Sequence, residues 1–142
     1  MAGETDLDRM LASLAVERRP GTFTFVTGPW KTLKSVAHAE IREAEGETLV
    51  VTIDDARAAG APVEFEAAWL TLTVHSSLEA VGLTAAVSRA LADEGIACNV
   101  LAGYHHDHLL VPVESAASAI TAIETLTANP SRVVSDTSRD RG

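Results

Sequence analysis

The stretch that decides the fold is Trp69-Leu70-Thr71-Leu72-Thr73-Val74-His75-Ser76-Ser77-Leu78-Glu79-Ala80-Val81-Gly82-Leu83-Thr84, continued by Ala92-Asp93-Glu94-Gly95-Ile96-Ala97-Cys98-Asn99-Val100. Residues 69–75 alternate: Leu70, Leu72 and Val74 face one way, while Trp69, Thr71, Thr73 and His75 face the other, the mark of a half-buried strand. Ser76 and Glu79 have the spacing of a capping box, so a helix is expected to follow them. Leu83, Val87, Ala90 and Leu91 form its apolar stripe, Thr84, Ser88, Arg89 and Asp93 its wet face, and Gly95 stands where a helix C-cap belongs.

Working outward toward the C-terminus, residues 96–102 read as a strand, 103–107 as its turn and 108–113 as the return strand. A last helix begins at Glu114 or Ser115, with Ala116, Ala119, Ile120, Ile123 and Leu126 on its core face, and Asn129-Pro130 closes it. From about Glu66 to Leu126 the order is therefore strand, helix, strand, strand, helix. That is a β-α-β-β-α-β unit without its last strand, so the first half of the chain either completes the sheet or forms a degenerate second unit, and periodicity does not choose between the two.

Toward the N-terminus the signals are weaker. Asp6 or Asp8 is placed to cap a helix through Leu7, Met10, Leu11 and Leu14, with Pro20-Gly21 as its stop. Residues 22–26 alternate as a strand, and further strands are expected over 35–42 and 48–53, joined by a turn at Glu45-Gly46-Glu47. Asp54 is the expected cap of a short helix ending before Gly60-Ala61-Pro62. Residues 131–142, rich in Ser, Arg and Asp, read as a mobile tail.

Composition removes several function classes. Eleven Lys and Arg against 20 Asp and Glu give a net charge of −9, and aromatics are only 4% of the chain. An acidic surface with few stacking platforms suits neither nucleic acid nor an anionic membrane. Cys98 is the only cysteine, which excludes an intramolecular disulfide and a cysteine-based metal cage. No apolar run approaches the ~20 residues of a membrane span, and Met1-Ala2-Gly3-Glu4-Thr5-Asp6 lacks a signal-peptide pattern, so a cytoplasmic location is expected.

The segment from Leu72 to Thr84, followed by Ala92 to Val100, resembles an ACT domain: a strand, a glycine-containing loop, a helix, and a Glu-Gly-Ile-x-x-Asn-Val approach to the second strand. Gly103-Tyr104-His105-His106-Asp107-His108-Leu109-Leu110-Val111-Pro112-Val113 is similar to small bacterial proteins built from two ACT-like units, the first divergent. The resemblance implies an α+β, ferredoxin-like ACT fold in tandem. Residues 1–64 would be the divergent N-terminal half, 65–128 the ACT domain and 129–142 a flexible tail. It also implies a small-molecule sensor, with an amino acid as ligand, without catalytic activity or cofactor. A sheet lacking its last strand exposes unpaired backbone groups that a second chain would cover, so a homodimer is expected.

A free amino acid presents an ammonium and a carboxylate, and both need partners once desolvated. Amides at a helix N-terminus suit the carboxylate, and an Asn side chain both donates and accepts. By resemblance the ligand-binding residues are Ser76, Ser77, Leu78, Glu79, Val81, Gly82, Leu83, Asn99 and Val100. Each also has a plainer role: Ser76 and Glu79 as helix caps, Gly82 as a packing glycine, Leu83 as core, Asn99 as a turn or edge residue.

Other chemistries are weaker. On a regular strand His106 and His108 share a face, two metal ligands where a zinc site needs at least three from the protein. With His105 they read better as a polar hairpin tip, and no metal is expected. Ser76 and Ser77 follow His75 without a glycine-framed nucleophile turn, and neither phosphate-cradling glycine motif is present. Cys98 reads as a core filler. The competing function classes are an interaction module without a small ligand and, less favoured, a histidine-based metal binder.

Overall fold

The computed structural model describes residues 2–74 and 81–128. The chain runs α1 (Ala2–Ser13), β1 (Ala15–Arg18), β2 (Phe23–Thr27), α2 (Lys31–Lys34), β3 (Ala39–Glu43), β4 (Gly46–Thr52) and α3 (Ile53–Ala58). It continues as β5 (Ala67–Thr73), α4 (Leu83–Asp93), β6 (Asn99–Ala102), β7 (Asp107–Pro112), a 3-10 turn at Val113–Ser115 and α5 (Ala116–Ala128). All strand pairs are antiparallel, in the order β3-β4-β2-β5-β7-β6, with β1 also on β5.

The strand absent from the end of the second unit is β1. Ala15 pairs with Thr73 and Arg18 with Leu70, so β1 covers the edge of β5 opposite β7. Four residues of the sequence Ala-Val-Glu-Arg carry no period of their own, and three of them are exposed. Only the waiting backbone groups of β5 make them a strand. Helix α1 accordingly stops at Ser13, well before Pro20-Gly21.

Beyond Arg18 the chain bulges through Gly21, whose φ of +97° favours glycine, and rejoins the same edge of β5 where Phe23 meets Ala67. Strands β1 and β2 thus form one interrupted path along β5. Its first part closes the second unit, and its second part opens the first unit, β2-α2-β3-β4-α3. The unpaired sheet edge expected from the missing strand is therefore filled within the chain.

Alternation assigns the two sheet faces. Ala68, Leu70 and Leu72 of β5 and Leu109 and Val111 of β7 lie under α1, α4 and α5, in a core with Leu11, Val87, Leu91, Ala119 and Ile123. On the same face of the first unit, Val26, Leu49 and Val51 pack with Leu33 and Ala56 of its short helices. Among the described residues the opposite face carries no helix. It nonetheless holds a core of Phe23, Val50, Ala67, Trp69 and Leu110, shielded by Phe25, Ala39, Phe65 and Leu101.

Boundaries moved where local contacts outcompeted alternation. The strand expected over 35–42 is shortened to Ala39–Glu43, because Leu33 and Lys34 donate to the Trp30 carbonyl and close α2 first. Thr52, not Asp54, caps α3: its hydroxyl accepts from the Asp55 amide at 3.1 Å. Strand β6 starts at Asn99, since Ile96 turns into the helix-side core. The tail expected at 129–142 lies outside the described residues.

Helix α1 belongs energetically to the second unit, and Leu11 is its fully buried contact. Leu11→Ala is expected to destabilise the chain by about 3 kcal/mol, the usual cost of emptying such a site. Urea unfolding measures this as a lower midpoint at an unchanged m-value.

Candidate functional site

Helix α4 begins at Leu83 with Gly82 as N-cap, at φ +98° and without a side-chain cap. A residue in that left-handed conformation cannot lie inside an α-helix, so Ser76 is not the N-cap of α4 and the expected capping box does not start it. The first helical hydrogen bond runs from the Ala86 amide to the Gly82 carbonyl, at 2.9 Å. The amides of residues 83–85 precede it and have no acceptor within the helix, which gives this turn positive partial charge.

Glycine at 82 has two causes. A Cβ there would be strained by the positive φ and would stand 3.3 Å from Cδ2 of Leu7, which packs over the helix start from α1. Beside it Val81 is 83% exposed, an unusual position for a β-branched apolar side chain. Leu83 turns inward and joins the core at 3% exposure. Ser76, Ser77, Leu78 and Glu79 lie outside the described residues.

Asn99 and Val100 stand elsewhere in the sheet. Asn99 pairs with Leu110, which pairs with Trp69, so its side chain shares the helix-free face and is exposed. Val100 points to the helix side of an edge strand and is 37% exposed. The end of β5 is level with Ala102, because Leu72 and Ala102 both pair with Asp107. Asn99 is three residues further back along β6, about 10 Å at 3.3 Å per residue. Within one chain the helix start and Asn99 are not neighbours.

A second cluster, which alternation only half revealed, occupies the helix-free face. Trp69 is 2% exposed, and the Arg19 guanidinium lies over its ring at 4.0 Å from the centroid. The Trp69 indole N–H donates to Nδ1 of His108 at 3.1 Å, and the Thr71 hydroxyl lies 3.0 Å from the same nitrogen. Arg19 Nη1 donates to Nδ1 of His38 at 3.1 Å. The ring of Phe23 meets those of His38 and Trp69 at 5.0 and 5.3 Å.

Indole and guanidinium only donate, so both imidazoles accept at Nδ1 and carry their proton on Nε2. Burial, then the charge of Arg19, holds the His108 pKa below its ordinary value. Its Nδ1 is therefore committed to the cluster and not to a metal shared with His106. Among the described residues no three His, Cys, Asp or Glu side chains come together as a metal site would require. The tight turn before His108 needs Gly103, where a Cβ would lie 2.9 Å from the His106 carbonyl oxygen and 3.1 Å from Nε2 of His108. Sequence alternation places Trp69 and Thr71 on one face. It does not bring in Arg19 or His38, which arrive through the bulge after β1 and the turn before β3.

Comparison with known proteins decides the family. The ACT domain family matches twice, over residues 2–68 and again over 64–125. The chain belongs to the ACT domain family. A crystal structure from Vibrio cholerae, of a protein of unknown function described as a possible transport protein, is 41% identical with a TM-score of 0.79. The match covers 88% of this chain and 98% of that one.

The ligand-free regulatory subunit of aspartate kinase from Thermus thermophilus aligns with a TM-score of 0.57 at 13% identity, covering 78% of this chain and 96% of that chain. A protein from Agrobacterium tumefaciens gives 0.58 at 14%, covering 80% and 89%. These two likenesses concern the fold. No curated protein matches the chain.

The tandem, ferredoxin-like arrangement read from the sequence is thus the one observed, with the first ACT unit reduced to a four-residue α2 where the second has the eleven-residue α4. ACT domains are regulatory, ligand-binding modules, and that general role comes with the family. No helix among the described residues is long and apolar enough to cross a membrane.

Because folding lowers the His108 pKa, the unfolded chain takes up the proton first as pH falls. The contribution of His108 to stability is complete above the unfolded value of 6.5 and is lost as pH falls through the lower folded value. Melting temperature followed from about pH 8 to about pH 5 is expected to fall less steeply in His108→Gln than in the parent chain.

Proposed function

We propose that the tandem ACT unit is a non-catalytic sensor of a free amino acid and that it works as a homodimer. The observation that carries this reading is the start of α4. Gly82 in the left-handed conformation presents the amides of residues 83–85 as the helix opens, a natural seat for an α-carboxylate. By family resemblance Ser76, Ser77, Leu78 and Glu79, which precede it in sequence, are the residues proposed to contact the rest of the ligand. Val81 is the exposed apolar member, and Leu83 anchors the turn in the core.

In this reading Asn99 and Val100 belong to the same ligand site through a second copy of the chain. Their separation from Gly82 within one chain argues for that arrangement. Strands β3 and β6 end the sheet order, so each has an outer edge available to another chain. The domain limits that fit this function are 1–64 and 65–128 by family resemblance, with α1 and β1 lent to the second unit. A cytoplasmic location suits a sensor of a free metabolite.

Thermal-shift measurements against the twenty amino acids at millimolar concentration test the ligand class. A ligand present at 100 times its Kd stabilises the native state by about 2.7 kcal/mol, well within reach of the method. A rise with one or a few amino acids, reduced by Asn99→Ala, is the expected outcome. A flat response to all twenty favours a protein-interaction module instead. Light scattering at micromolar concentrations is expected to give twice the chain mass, and a monomer throughout that range removes the cross-copy site.

A further inference from the structure

We propose that Arg19, seated on Trp69 between His38 and His108, forms a binding site for a small organic carboxylate on the helix-free face of the sheet. The site is separate from the start of α4 and does not depend on the amino-acid reading.

Its basis is a surplus of donors. The guanidinium has five N–H groups, and one is spent on Nδ1 of His38. His38 uses Nδ1 to accept from Arg19, which leaves its Nε2–H as a further donor, whereas Nε2 of His108 faces the Gly103 turn and the ring of His108 holds Trp69 in place through Nδ1. The ring of His38 lies 6.0 Å from Trp69 and the Arg19 Cζ lies 4.0 Å from it, so the donors of Arg19 and His38 stand beside one indole.

Among the described residues no carboxylate pairs with Arg19. Ion pairs among the described residues join Lys34 to Glu40 and Glu47, Arg57 to Glu66, and Arg89 to Asp93. Arg19 takes part in none. Glu17, which pairs in register with Thr71 on the same face, makes no ion pair with it.

The cluster is also built rather than incidental. Stacking on an indole that is 2% exposed, together with the hydrogen bond to His38, holds the fork in one orientation. An oriented guanidinium fork matches the two oxygens of a carboxylate, a fit that a mobile lysine does not provide. The net charge of −9 opposes anions at long range. Salt at 0.1 M screens that repulsion beyond about 10 Å and leaves the local donors dominant.

Trp69 supplies the readout. In Trp30→Phe it is the only tryptophan, and its fluorescence is titrated with sodium acetate and sodium succinate against sodium chloride at matched ionic strength. The expected result is a saturable change with the carboxylates and none with chloride, the midpoint weakened at least tenfold by Arg19→Gln. Arg19→Lys, which keeps the charge and loses the fork, is expected to weaken it to an intermediate degree. It decides the matter if Arg19→Gln fails to fold by circular dichroism. A response no different from that of chloride overturns the proposal, as does a midpoint unmoved by either substitution. An equal saturable response to inorganic phosphate overturns the carboxylate class.

Discussion

The pairing of β1 with β5 is the constraint on which the rest depends. A strand between two others must satisfy backbone groups on both edges, and β5 has β7 on one edge only. Residues 15–18 fill the other, and their arrival fixes what precedes and follows them. Helix α1 is drawn onto α4 and α5, where Leu11 and Leu14 become core. The bulge at Pro20-Gly21 then returns the chain to the same edge as β2, so that one sheet serves both ACT units.

That shared path explains why the helix-free face is furnished as it is. Arg19 is the first residue after β1, and its amide donates to the Trp69 carbonyl at 2.9 Å. The backbone bond seats the residue beside Trp69, and the side chain lies across the ring. His38 is brought up from the first unit by its amide bond to the Val50 carbonyl, at 2.8 Å. The junction between units is therefore more than the single Phe23–Ala67 bridge. It is also a polar and aromatic cluster whose members come from the bulge after β1, from β2, β5 and β7, and from the turn before β3.

The second unit was legible because its signals were local. Alternation at Trp69–Val74, the stripe Leu83-Val87-Leu91 and the face Ala116-Ala119-Ile123 each point to one core, and all three bury as they should. The Asn99–Val100 strand was legible too, though its register was not. The capping-box spacing at Ser76–Glu79 does not mark the start of α4, which Gly82 supplies with its own backbone. Of the candidate ligand residues, Val81, Gly82 and Leu83 stand at the start of α4 and Asn99 and Val100 on β6, a separation that alternation does not encode.

By itself, the sequence determined the order of elements from residue 69 to 126, the apolar face of each, and the resemblance to an ACT domain. These depend on periodicity and on glycines at turns, which act over a few residues. Tertiary structure alone decided that Ala15–Arg18 is a strand, that Asn99 stands on the open face, and that Arg19, His38, Trp69 and His108 meet. The physical reason is the same in each case. Strand pairing satisfies hydrogen bonds between segments as much as 58 positions apart, such as Ala15 and Thr73, and no local pattern encodes which distant edge is left open.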